Sequence, residues 1–273
     1  MMAQIIDRAR LKADTKDLLR TAQVSPRSMT ALYLGLTLVM SLLDTAAGGS
    51  AEAVLDRNLP GIFVYVLVSL VGTILAAGFT LYCMAIRRGE RAEFLTLFDG
   101  FTLSGKIIGL SIVTNLFIML WSMLFVIPGI IAAYRYRFAL YDLLEDPSIG
   151  VMDALEMSKR QTTGYKSQLF LLDMSYLGWS ILASLPVGAY SYQLSTALLS
   201  GSAAGPQLPA LAWTALIGLW SLAVSLFYLP NYRCVELGYF EIAKSTSGVG
   251  TGAAPGQDGG PGGRMGPDGL GGL

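Results

Sequence analysis

The chain has no histidine, only two cysteines, and a charged fraction of fourteen per cent over 273 residues. Each shortage closes off a class of function. Without histidine there is no Ser-His-Asp or Cys-His nucleophile system and no His-bearing metal site, and Cys83 and Cys234 are too far apart in sequence to form a zinc ribbon. No Gly-rich loop runs into Lys-Ser or Lys-Thr, so no phosphate cradle of the nucleotide-binding kind is expected. Nineteen basic residues balance nineteen acidic ones, and no basic groove for a nucleic acid stands out. The carboxylates Asp99, Asp142, Glu145, Asp146 and Asp153 read as solvated helix ends, and the two cysteines as small apolar fillers. The expectation is a protein that is not an enzyme and has no cofactor, no metal and no nucleic-acid partner.

What is present in quantity is apolar sequence. Hydrophobic residues make up 53% of the chain, and a soluble domain carries about a quarter charged residues, well above the fraction here. Residues 107–134 run without a charge. As one helix they would be about 42 Å long, beyond the roughly 30 Å hydrocarbon core of a bilayer. Pro128 and Gly129 interrupt the run, which predicts two spans joined by a helix hairpin. Further apolar runs at 29–43, 62–86, 169–190 and 211–230 bring the expectation to six transmembrane helices: 107–125 and 129–144 form the hairpin. Lys and Arg number six in 1–28, one in 44–61, four in 87–106, three in 145–168 and none in 191–209. Positive connections favour the cytoplasmic side, so six spans put every basic connection and both termini there.

The pieces between the spans are amphipathic. Residues 3–20 and 90–101 read as interfacial helices, and Phe94, Leu97, Phe98 and Phe101 recur at helical spacing. Residues 148–163 read as a short cytoplasmic helix. From Ser245 the chain holds twelve glycines and three prolines in 29 residues, a composition of disorder. Three parts result: a cytoplasmic amphipathic segment 1–28, a six-helix transmembrane domain 29–244, and a disordered Gly/Pro-rich tail 245–273.

Several of these stretches resemble a known family. They are Leu97-Phe98-Asp99-Gly100-Phe101, the turn and helix from Val126 to Tyr134, Ser158-Lys159-Arg160 leading to Gly164-Tyr165-Lys166, and the run from Leu169 to Trp179. Over about residues 5–242 the chain resembles an uncharacterised group of bacterial integral membrane proteins, the domain of unknown function nine-seven-five. That group is related to the membrane domain attached to some glycerophosphodiester phosphodiesterases. The resemblance implies a six-helix inner-membrane protein and supplies no catalytic residues. This chain carries Arg135 and Arg137 where the family usually shows serine or another small residue.

Those arginines belong to the one constellation with functional promise. Arg135, Arg137 and Asp173 fall inside predicted spans, where an unpaired charge costs at least about 2.5–3.5 kcal/mol. Arg137 and Asp173 lie at similar depth from the cytoplasmic end, so a pair between them is geometrically plausible. Two readings stay open: an ion pair that fixes helix packing, or a polar cavity that takes an anionic headgroup or solute with help from Tyr134, Tyr136 and Tyr141. Gly72 with Ala76, and Ser180 with Ser184 and Gly188, have the spacing that permits close helix approach, and Pro186 should kink the fifth span. The functional expectation is a non-enzymatic scaffold or envelope-homeostasis component. It would sit in the bacterial inner membrane and interact with membrane lipids, a protein partner or a second copy of itself. The alternative is a transporter or channel for a small solute or lipid.

Overall fold

The structure is a computed structural model, and it describes residues 5–48, 58–200 and 208–250. Among these residues there are only helices. Helix α1 (Arg8–Thr21) starts where the Asp7 side chain accepts from the N–H groups of Ala9 and Arg10. It is tied to the bundle: the Arg8 guanidinium donates to the Leu171 carbonyl at 3.1 Å and Lys12 Nζ to Ser175 Oγ at 2.8 Å. Helix α2 (Pro26–Ala46) has proline in its first turn, where the missing N–H costs nothing.

Helix α3 (Leu59–Arg87) is followed by a 3-10 helix, Phe94–Leu103, that lies against it. Two glycines allow the contact. A Cβ on Gly78 would sit 1.8 Å from the Leu97 carbonyl oxygen, and one on Gly100 would sit 2.7 Å from that of Ile74. Leu97 is thereby buried, while Phe94, Phe98 and Phe101 are exposed.

The hairpin forms, but its turn is earlier than the proline. Helix α4 (Ser104–Leu124) ends at Phe125, a single extended residue, and α5 (Val126–Arg135) starts at once. Pro128 and Gly129 therefore belong to the first turns of the returning helix. Gly129 is buried against α4, and a Cβ there would meet Ser122 Oγ at 2.1 Å.

The return is not the continuous span that was expected over 129–144. It consists of α5 and a seven-residue helix, α6 (Ala139–Glu145), separated at Tyr136–Phe138. The break is sustained by α7 (Val151–Gln161) and the residue after it. Phe138 N–H donates to Ser158 Oγ at 3.1 Å, and Ser158 Oγ and Thr162 Oγ1 donate to the Arg135 carbonyl at 2.9 and 3.2 Å. Neighbouring hydroxyls take the place of the lost helical bonds. The chain nevertheless comes back to the basic end, where Glu145 pairs with Arg88 at 3.2 Å and with Lys244 at 2.7 Å.

Among the described residues four helical units are long and apolar enough to cross a membrane: Pro26–Ala46, Leu59–Arg87, Phe94–Leu124 and Ala210–Ser247. A fifth is the pair α8 (Lys166–Met174) and α9 (Leu177–Ser200), bent by 57°. The molecule is an all-α polytopic membrane helix bundle; among the described residues four to five units meet this test, and the broken α5–α6 return, counted as a span in the expectation of six, is not one of them. The sharp bend falls at Ser175–Tyr176, whereas Pro186 lies inside continuous α9.

Helix α10 (Ala210–Ser247) runs 17 residues past Pro230, where its span had been expected to stop, and closes at Gly248 with φ +66°. Helix thus extends beyond the boundary drawn at 245. The stretch 251–273, read as disordered, and Arg57 lie outside the described residues.

Candidate functional site

The core is gathered at the end of the bundle that carries the basic connections. Tyr82, Leu97, Phe138, Leu169, Leu172 and Tyr239 are buried there. Three elements converge on it: the α5–α6 break, α8 and the inner half of α10. The break frees Arg137 from the regular course of a helix, and its guanidinium lies between two carboxylates.

One edge of the guanidinium binds Asp173 of α8 through two parallel bonds, Nη1 to Oδ2 at 2.7 Å and Nη2 to Oδ1 at 2.9 Å. Its Nε donates to Glu236 of α10 at 2.5 Å, and Nη2 also reaches the Tyr232 hydroxyl. Both Asp173 oxygens receive a second donor, the Tyr134 hydroxyl at 2.7 Å and the Tyr232 hydroxyl at 2.8 Å. The Tyr134 ring stands 5.3 Å from the Arg137 guanidinium carbon. Glu236, whose side chain is 1% exposed, is also held by Arg233 at 3.2 Å. Tyr141 is buried and faces the same carboxylate. Two arginines and two carboxylates leave the cluster with no net charge.

A cavity of about 560 Å³ opens beside it, lined by Ile130, Ala133, Tyr134, Arg137, Asp173 and Tyr232 among others. This arrangement can clamp three helices. It leaves no nitrogen of Arg137 without a partner, so it is not poised to take up a free anion.

The structure thus brings together Arg137, Asp173, Tyr134 and Tyr141. Tyr136 faces elsewhere and packs on Phe117 of α4, with ring centroids 5.8 Å apart. Arg135 also stays outside: its carbonyl is held by Ser158 and Thr162, and its Nε is buried without a hydrogen-bond partner. Sequence reasoning missed Tyr232, Arg233 and Glu236, because Pro230 was taken as the end of the span. The signal was present in the four-residue spacing of Tyr232 and Glu236, which puts a phenol and a carboxylate on one helix face.

One smaller correction concerns a single residue. Asp142 is not a solvated helix end: it is 2% exposed, Oδ1 accepts from Gln161 Nε2 at 2.7 Å, and Oδ2 has no partner. Cys83 and Cys234, distant in sequence, are both buried, free and close enough on α3 and α10 to hydrogen-bond. Among the described residues no group of three or more His, Cys, Asp or Glu could hold a metal ion.

A helical membrane bundle with a self-paired polar cluster at one end is the class that fold and site define. Residues 123–241 match the family described as "Protein of unknown function (DUF975)". The matched segment runs from the end of α4 to the inner part of α10 and contains every residue of the cluster. No curated protein and no solved structure matches the chain. No link to the membrane domains of glycerophosphodiester phosphodiesterases emerges from these comparisons.

Proposed function

We propose that the protein is a non-enzymatic component of the bacterial inner membrane, a scaffold or envelope-homeostasis protein acting on lipids or partner proteins through its surface. The observation that supports this reading is the closure of the polar cluster upon itself. Catalysis or anion transfer needs a group that can engage a substrate, and here Arg137 already holds Asp173, Glu236 and Tyr232. The buried groups fix how α5, α6, α8 and α10 meet.

Both termini are assigned to the cytoplasm. Basic connections favour that side, and the contacts of Lys12, Arg88, Lys106 and Lys244 gather them at one end of the bundle. A topology reporter fused after Gly129 should read periplasmic and one after Gly164 cytoplasmic, and the reverse at either site would overturn the orientation.

The function is tested with the full-length protein in mild detergent and in sealed vesicles. It should retain a lipid or protein partner through purification and pass no small anion above the lipid background. One observation favours a second reading, a transporter: the cavity meets the cluster at a helix break, and the Arg137 side chain keeps 18% of its surface exposed there. Saturable flux that disappears in Asp173→Asn would replace the scaffold with that reading.

A further inference from the structure

A second cavity, of about 530 Å³, lies at the basic end where α1 turns into α2 and both meet α10. Its rim carries Lys16, Arg20 and Arg27, and its floor is made by Leu226, Phe227 and Pro230. The acid paired with this rim is Asp17, 3.5 Å from Arg20 in a pair that is mostly exposed, so three cations less one carboxylate leave two positive charges. Lys16 and Arg27 form no ion pair among the described residues. Unlike the cluster around Arg137, this site has cations to offer.

The apolar lining of the cavity continues into exposed aromatic surface. Phe227 is 66% exposed, the Arg27 guanidinium carbon stands 6.0 Å from its ring, and Trp179 of α9 stacks on it with centroids 6.5 Å apart. Tryptophan and arginine side by side at a helix end are what a bilayer interface favours. The Ser25 side chain makes no cap hydrogen bond at the start of α2, which adds a positive helix end to the same rim.

We infer that this cavity binds the phosphate headgroup of an anionic phospholipid, with Lys16, Arg20 and Arg27 around the phosphate and the acyl chains passing along Phe227 and Trp179. The inference rests on the reading that the protein acts on lipids and names the class of lipid and the place. A free phosphate would use the rim but gain nothing from the aromatic floor.

The test titrates full-length protein in detergent with short-chain phosphatidylglycerol, phosphatidylcholine and inorganic phosphate, following tryptophan fluorescence. Phosphatidylglycerol should bind more tightly than either of the others. Arg27→Gln should weaken it about fivefold and Lys16→Gln with Arg27→Gln about twenty-five-fold, the effect of one and two basic side chains at an anionic surface. Lys159→Gln, an exposed cation on α7, should change nothing. Circular dichroism checks that each variant keeps its helices. Retained preference in the double variant, an equal loss in Lys159→Gln, or inorganic phosphate binding as tightly as the lipid would each overturn the site. Solute flux in vesicles would remove the scaffold reading and leave this titration standing, so the two failures are distinguishable.

Discussion

The two ends of the bundle are built on different terms. At the basic end Phe138, Leu143, Leu169, Tyr239 and Glu236 are buried, and polar groups from α5, α6, α7, α8 and α10 interlock. At the other end Met123, Phe125, Val126 and Ile127 stand more than two thirds exposed, and α9 makes its main helix contact with α10 alone. Lipid tails are as apolar as these side chains, so burying them against one another gains little. Tight packing is concentrated where polar groups have partners to find.

The strongest challenge to this contrast is to break the cluster. Arg137→Gln leaves Asp173 and Glu236 without their shared cation and should cost about 3–5 kcal/mol of stability in detergent, read as a large fall in melting temperature. Asp173→Asn alone should also destabilise, and combining the two should lose less than the sum, by a coupling of about 0.5–3 kcal/mol. Additive losses would mean that the bidentate contact contributes nothing.

Two glycines on the same helix compare the ends directly. Gly78→Ala drives a methyl into the Leu97 carbonyl and should cost about 1–3 kcal/mol. At Gly72 a Cβ meets nothing within 4 Å, and alanine should be neutral or gain up to about 1 kcal/mol of helix propensity. Equal effects at the two positions would remove the distinction. Gly72 and Gly188, expected from their spacing to be contact points, both face open space, so their smallness serves no helix contact in this chain.

A further contrast concerns Asp142, which lies on α6 outside the candidate spans. Burial pushes its carboxyl up to about 7 from 3.8, against the pull of the Gln161 amide and of Lys244. The folded protein therefore holds a proton that the unfolded chain releases between those values. Stability should be greatest at low pH with respect to this group, fall as pH climbs from about 4 to about 7, and level off above. A proton on Oδ2 also supplies a donor to a group that has no partner. Asp142→Asn should flatten the profile and raise the melting temperature at pH 8 by about 2–4 °C for each kcal/mol recovered. An unchanged pH profile in the variant would show that Asp142 is ionised at little cost.

Much of the architecture was legible because it depends on local composition. The uncharged run 107–134 contains the hairpin, since it is longer than one upright crossing needs. The Phe94–Phe101 pattern marks a helix, which forms as a 3-10 helix against α3. The depth match of Arg137 and Asp173 places them together, because both are counted from the same membrane surface.

What escaped was long-range. Pro230 reads as a stop, yet α10 continues through it to Ser247, and the second carboxylate of the cluster, Glu236, is on that continuation. Residues 129–144 read as a plain span, yet the chain breaks at Tyr136–Phe138 because Ser158 and Thr162 are there to receive the backbone.

The sequence by itself determined that this is an all-α membrane bundle, that it contains a hairpin and which end is basic, because hydrophobic length and charge act on each segment through the solvent alone. Tertiary structure decided which end packs tightly, where a helix breaks and which charges neutralise one another. Those outcomes depend on partners 20 to 100 residues away, such as Ser158 for Phe138 and Glu236 for Arg137, and a buried polar group takes its stable form only when such a partner arrives.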